Sequence, residues 1–220
     1  MTTERKSLEV PYIPELDNMD MEQVIATLDE KGARRTVDCL NWKEEFPYHP
    51  LTAFSIAHSG THIYIDFFVR CNYLRAVNDK NNSDVYKDSC VEFFVAPEGT
   101  APYYNFEFNC IGTTHVGRRM DRHNATLLSD EEIARIKRLP SCGTRPFEEL
   151  EGIFSWNLAV AIPLDLMGVE YHPGSPVTLK GNFYKCADAT SEPHYLSWSP
   201  IDTPHPDFHR PEFFGDITLL

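Results

Sequence analysis

At 220 residues, 42% hydrophobic and 12% aromatic, the chain can bury one sizeable core and has the composition of a globular protein, not a disordered one. Its 33 acidic and 20 basic residues give a formal net charge of −13, which repels phosphate backbones and argues against nucleic acid as a partner. No apolar run is long enough for a signal peptide or a membrane span, and the start Met1-Thr2-Thr3-Glu4-Arg5-Lys6 is polar. The expectation is therefore a cytoplasmic chain without a membrane partner, or a secreted or periplasmic one if the sequence is a piece of something longer.

Residues 8–14 predict an extended opening strand, with Pro11 and Pro14 placing it at a sheet edge. Residues 20–31 predict a short helix with the stripe Met21, Val24, Ile25 and Leu28, stopped by Gly32. Residues 52–58 and 61–69 form a hairpin about Ser59-Gly60, in which Ile63, Ile65 and Phe67 alternate with Tyr64, Asp66 and Phe68. A polar loop is expected over 71–88, longer than most connections and so a candidate for function.

Two alternating runs follow. In 89–97, Val91, Phe93 and Val95 share one face and Glu92 and Phe94 the other. In 103–109, Tyr104, Phe106 and Phe108 share one face, and Asn105, Glu107 and Asn109 the other. These read as adjacent antiparallel strands with one apolar face. The opposite row of carboxylates and amides is either solvated or the kind of surface that binds sugar hydroxyls.

A shorter strand is expected near 113–118. Ser129 and Glu132 make a capping box for a helical turn in an excursion across one end of the sheets. Further strands are expected at 153–162, 177–187 and 213–219, with one helical turn at 164–168. Recurring strands separated by turns predict an all-β fold, an antiparallel β-sandwich of immunoglobulin-like or jelly-roll type with one or two short helices. With no linker or repeat, 1–220 reads as a single domain. Trp42, Trp156 and Trp198 are expected in the core. The six cysteines are widely spaced without a C-x-x-C pair, so they read as reduced core residues and no metal ligands are assigned.

Six segments in order then resemble carbohydrate-binding module family 9, within the DOMON-like group of sandwiches. They are Asp88-Ser89-Cys90-Val91-Glu92-Phe93-Phe94, Tyr103 to Asn109 with Gly112, Trp156 to Pro163, Gly181-Asn182-Phe183-Tyr184-Lys185, Leu196 to Pro200, and Pro211 to Asp216. The resemblance runs from about residue 40 to the C-terminus, leaving out the first forty residues and the 119–150 excursion. It implies non-catalytic binding of a mono- or oligosaccharide in a carbohydrate-catabolic context. Aromatic rings would cover the apolar face of a sugar while carboxylates, amides and cations meet its hydroxyl rim.

Carried over position by position, Tyr86 and Phe208 stand where family members place a pair of tryptophans, and Glu92 matches the glutamate that accepts sugar hydroxyls. Glu107 falls where some members place an arginine, and Lys185 where members place a glutamine. The implied ligand-binding set is thus Tyr86, Glu92, Glu107, Lys185 and Phe208, with no catalytic residue. No cofactor is expected, apart from a structural calcium that the family raises for the loop of Asp79, Asn81 and Asp84. Two alternatives stay open: a glycoside hydrolase using Glu92 and Glu107 as paired carboxylates, or a sandwich that binds another protein.

Overall fold

The computed structural model describes residues 5–97, 99 and 101–220; the polar start Met1–Glu4 lies outside them. In chain order the strands are β1 (Ser7–Val10), β2 (Ala33–Thr36), β3 (Leu51–His58), β4 (His62–Ala76), β5 (Cys90–Ala96), β6 (Tyr103–Asn109) and β7 (Thr114–Arg119). They continue with β8 (Ala125–Leu127), β9 (Lys137–Pro140), β10 (Phe147–Pro163), β11 (Val177–Cys186), β12 (Tyr195–Ser197) and β13 (Gly215–Leu219). One sheet has the order β1-β13-β11-β5-β6-β7-β8, with β12 pairing β11; the other runs β2-β3-β4-β10-β9. All pairings are antiparallel except β1 with β13.

The period-two pattern sets what lies between the sheets. Val91, Phe93, Val95, Phe106, Phe108 and Phe183 from the first sheet pack against Phe54, Ile65, Phe67, Trp156, Leu158 and Val160 from the second. Phe183 stacks on Phe54 with centroids 3.9 Å apart. Trp156 and Trp198 are buried here, as expected; Trp42 is buried in a separate aromatic cluster on the other side of the first sheet.

The outer face of the second sheet is closed by helix α1 (Met21–Lys31). Asp20 starts it with a capping box, accepting from the Gln23 amide while the Gln23 side chain accepts from Asp20 N–H. Its buried residues, Val24 and Leu28, pack with Ala57, Tyr64 and Ala161. No helix among the described residues is long and apolar enough to cross a membrane.

The structure departs from expectation in three places. Strand β4 continues to Ala76, so the polar loop shrinks to about 77–89 with a 3-10 turn at Val85–Lys87. The 119–150 excursion is not only a crossing: it supplies β8 to the edge of the first sheet and β9 to the edge of the second, joined by α2 (Asp130–Ala134). The capping box of Ser129 and Glu132 is formed. Most consequential, the row Glu92, Asn105, Glu107 and Asn109 is not solvated. It is buried beneath the segments 39–50, 77–89 and 187–214, which fold over the outer face of the first sheet.

Candidate functional site: a cleft over the outer face of the first sheet

Those covering segments do not close completely. They leave a cleft of ≈ 690 Å³ whose floor is sheet and whose walls are loops. Alternate residues of β5, β6 and β11 supply the floor: Glu92, Phe94, Glu107 and Cys186. Tyr86 stands on one wall, Phe208 and His209 on another, and His115 and Arg119 of β7 reach in from the side.

Glu92 and Glu107 are register partners across β5 and β6, side by side on one face. They are only 2% and 5% exposed. Glu107 accepts from Asn105 Nδ2 at 2.7 Å. Glu92 Oε1 accepts from the Cys186 thiol at 3.1 Å, whereas Glu92 Oε2 has no hydrogen-bond partner among the described residues. Burial, and then mutual repulsion, push the Glu92 carboxyl well above the usual carboxylate range. Burial raises Glu107 as well, with His115, the Asn105 hydrogen bond and Arg119 opposing it. Asp188, at the cleft's edge, is pushed up to about 6 by burial and by the Glu107 charge. Arg119 makes no ion pair among the described residues; its Nε donates to Asn105 Oδ1 at 2.7 Å, and Nη2 lies 3.3 Å from His115 Nε2. Gly117 leaves room for this, since a Cβ there would come within 2.9 Å of Asn105 Oδ1. His209 is driven down to about 3 by burial and then by Arg119, so its ring is neutral at neutral pH.

Buried polar side chains fix the walls. Asp88, fully buried, holds the Tyr86 loop: Oδ1 accepts from Val77 N–H at 3.0 Å. Its Oδ2 accepts from Asn78 N–H at 2.9 Å, Asn78 Nδ2 at 3.1 Å and Asn109 Nδ2 at 3.0 Å. Asn182 holds the other wall, accepting from Ser199 N–H at 2.8 Å and donating to the Ser199 carbonyl at 3.0 Å. Tyr184 lies against Phe208 with centroids 4.1 Å and planes 7° apart, and its hydroxyl donates to the Phe208 carbonyl at 3.1 Å. Trp42 Nε1 donates to the Thr203 carbonyl at 2.8 Å, steadying the start of the same loop.

Of the five residues singled out from sequence, Tyr86, Glu92, Glu107 and Phe208 line this one cleft. One face of Phe208 is already covered by Tyr184, so only its other side is free for a ligand. Lys185 is not in the cleft and does not pair with Glu107. With Phe183 it occupies the opposite face of β11, buried, donating to the Cys186 carbonyl at 2.6 Å and lying 2.9 Å from His194 Nε2. Burial lowers its ammonium below the usual lysine range. Tyr184, not Lys185, shares the cleft-side face of β11 and pairs Glu92 in register. In the 79–84 loop, Asn81 donates to Asp130 and Asp84 pairs with Lys87. The sequence reading missed His115, Arg119, Asp188 and Tyr195. The register partner of Glu107 is His115, so carrying the alternation one strand further points to the first two.

The family model for carbohydrate-binding family 9 matches residues 22–219. A crystal structure of a candidate carbohydrate-binding protein from Bacteroides uniformis is 39% identical, covering 98% of this chain and 99% of that one with a TM-score of 0.91. A family 9 carbohydrate-binding module from Caldicellulosiruptor kristjanssonii, solved with glucose, is 15% identical at a TM-score of 0.54, with 98% and 96% of the two chains covered. The same organism's family 9 module with cellotriose is 14% identical at a TM-score of 0.52, covering 96% and 92%. No curated protein matches the chain.

Proposed function

The chain belongs to carbohydrate-binding family 9, and from that premise we propose that its cleft binds the end of a mono- or oligosaccharide without turning it over. The observation that carries the reading is Glu92 Oε2, a carboxyl oxygen buried on the floor with no partner, in a cleft whose walls carry the rings of Tyr86 and Phe208. An unpaired buried polar oxygen is costly, and a sugar hydroxyl, which both donates and accepts, satisfies it in either protonation state. The free face of Phe208 and the ring of Tyr86 cover the C–H faces of the sugar, while Glu107, Arg119 and Asp188 meet further hydroxyls. The structural relatives solved with glucose and cellotriose make those two saccharides the first to try.

Hydrolysis is the poorer reading. Glycosidases place their two carboxyls on either side of the scissile bond, whereas Glu92 and Glu107 are neighbours on the floor, on the same side of anything in the cleft.

Calorimetric titration with glucose, cellotriose and a panel of mono- and disaccharides tests the proposal, with a Tyr86→Ala/Phe208→Ala double variant alongside. Single-site binding by the wild type that is lost in the folded double variant is the expected result. Unchanged binding in that variant would move the site, and no heat with any saccharide would end the reading.

A further inference from the structure

Cys90 and Cys186 face each other in direct register across β5 and β11, on the cleft side of the sheet, and both are buried. Both thiols donate to one oxygen, Glu92 Oε1, at 3.7 and 3.1 Å. The three donor atoms lie within 4.8 Å of one another. We propose that Cys90, Cys186 and Glu92 form a site for one divalent cation of the zinc class, with its remaining coordination position open to the cleft.

Three observations carry this. The first is size. A tetrahedral zinc ion with Zn–S of about 2.3 Å and Zn–O of about 2.1 Å sets sulfur and oxygen ~3.6 Å apart; the Cys90 separation of 3.7 Å matches it, and the Cys186 separation of 3.1 Å reaches it with an opening of ~0.5 Å. The second is donor chemistry. Two sulfurs and one carboxylate select zinc or cobalt and reject calcium and magnesium, which take oxygen ligands only. The third is an uncommitted carboxyl. Glu92 is buried, its Oε2 has no hydrogen-bond partner among the described residues, and its Oε1 is met by the two thiols alone.

Binding balances as proton exchange. The ion enters through the cleft, which Glu92 and Cys186 line. Both thiol protons, and any proton on Glu92, leave to solvent, and no electrons move. Two thiolates, one carboxylate and a dication leave a net charge of −1, and a water or hydroxyl oxygen fills the open position. The inference does not rest on saccharide binding, because coordination through Oε1 leaves Oε2 for the cleft.

The test is titration of the reduced full chain with cobalt(II) and then zinc. One equivalent of cobalt should give thiolate-to-metal charge-transfer absorption and tetrahedral visible bands, both bleached by zinc. Cys90→Ser and Cys186→Ser should each weaken cobalt binding by at least about 100-fold, the upper range for losing even an outer-shell partner; Cys39→Ser should not. Should the serine variants not fold, zinc-edge X-ray absorption of the wild type decides, with two sulfurs expected at about 2.3 Å. No thiolate–cobalt absorption, absorption that survives in both serine variants, or a zinc edge showing only nitrogen and oxygen ligands would each overturn the proposal.

Discussion

Asp88→Ala gives the sharpest account of how the cleft is held together. The Asp88 carboxylate is fully buried and accepts from two backbone N–H groups, of Val77 and Asn78, and two amide N–H groups, of Asn78 and Asn109. Removing it strands four donors and takes away the ion-pair partner of Arg75, whose Nε lies 3.4 Å from Asp88 Oδ1, in a site that alanine cannot fill. The side-chain amides have some freedom to turn elsewhere; the two backbone donors do not. At about 1–3 kcal/mol for each unsatisfied buried donor, the backbone pair alone puts the loss near 4 kcal/mol. For a chain of this size that is a fall in Tm of roughly 8–16 °C. Because the stranded groups belong to the segment leading to Tyr86, saccharide affinity should fall as well, even well below the new Tm. Differential scanning calorimetry with a saccharide titration at 15–20 °C below that Tm, on the ~10 °C scale just given, reads both. A Tm within about 2 °C of wild type, or unchanged affinity, would show that Asp88 does not pin the loop.

Three further outcomes follow from the same geometry. Lys185→Met, which keeps length and removes a buried charge, should leave saccharide affinity within about twofold of wild type, because Lys185 sits on the face of β11 away from the cleft; a tenfold loss by calorimetry would put that placement in error. Asn182→Ala should destabilise by about 2 kcal/mol, seen in urea unfolding, by breaking the paired bonds to Ser199. For pH, Glu92, Glu107 and Asp188 all have raised folded-state values, Asp188 at about 6. The folded chain thus keeps protons that the unfolded chain releases. Their contribution to stability is fully present below the unfolded carboxyl range near pH 4 and is lost as pH rises, for Asp188 through about 6. His194 and His209, lowered by burial, act in the opposite sense and lose stability as pH falls, so the carboxyl contribution is read by difference: on going from pH 7.5 to pH 5 the urea midpoint of the wild type should shift further toward stability than that of Glu107→Gln, and equal shifts in both proteins would count against the buried pair as the source.

How much of this was legible in the sequence depended on whether a signal was local. The alternation of Val91, Phe93 and Val95, and of Tyr104, Phe106 and Phe108, fixed the two central strands and their apolar face, because side-chain period is a property of one strand. The capping box at Ser129 was likewise local. Coverage of the outer face was not. Whether Glu92 meets water or protein depends on segments far along the chain, and those segments carry no periodic signal. Counting by two from Phe183 places Lys185 inward, where the structure has it; its assignment to the site came from the resemblance alone, which matches positions without regard to the strand face they take. Tyr86, Glu92, Glu107 and Phe208 converge because Asp88, Asn182 and Tyr184 fasten their loops, a function of those motif residues that spacing alone does not reveal. The Cys90–Cys186 juxtaposition arises only from β5 pairing with β11, so no local cysteine motif announced it.

The most direct test of the central claim is a crystal structure of the chain soaked with cellotriose. The account predicts a terminal sugar ring between Tyr86 and Phe208, with a hydroxyl hydrogen-bonded to Glu92 Oε2. A saccharide bound elsewhere on the sandwich, or one in the cleft that leaves Glu92 Oε2 without a partner, would contradict it.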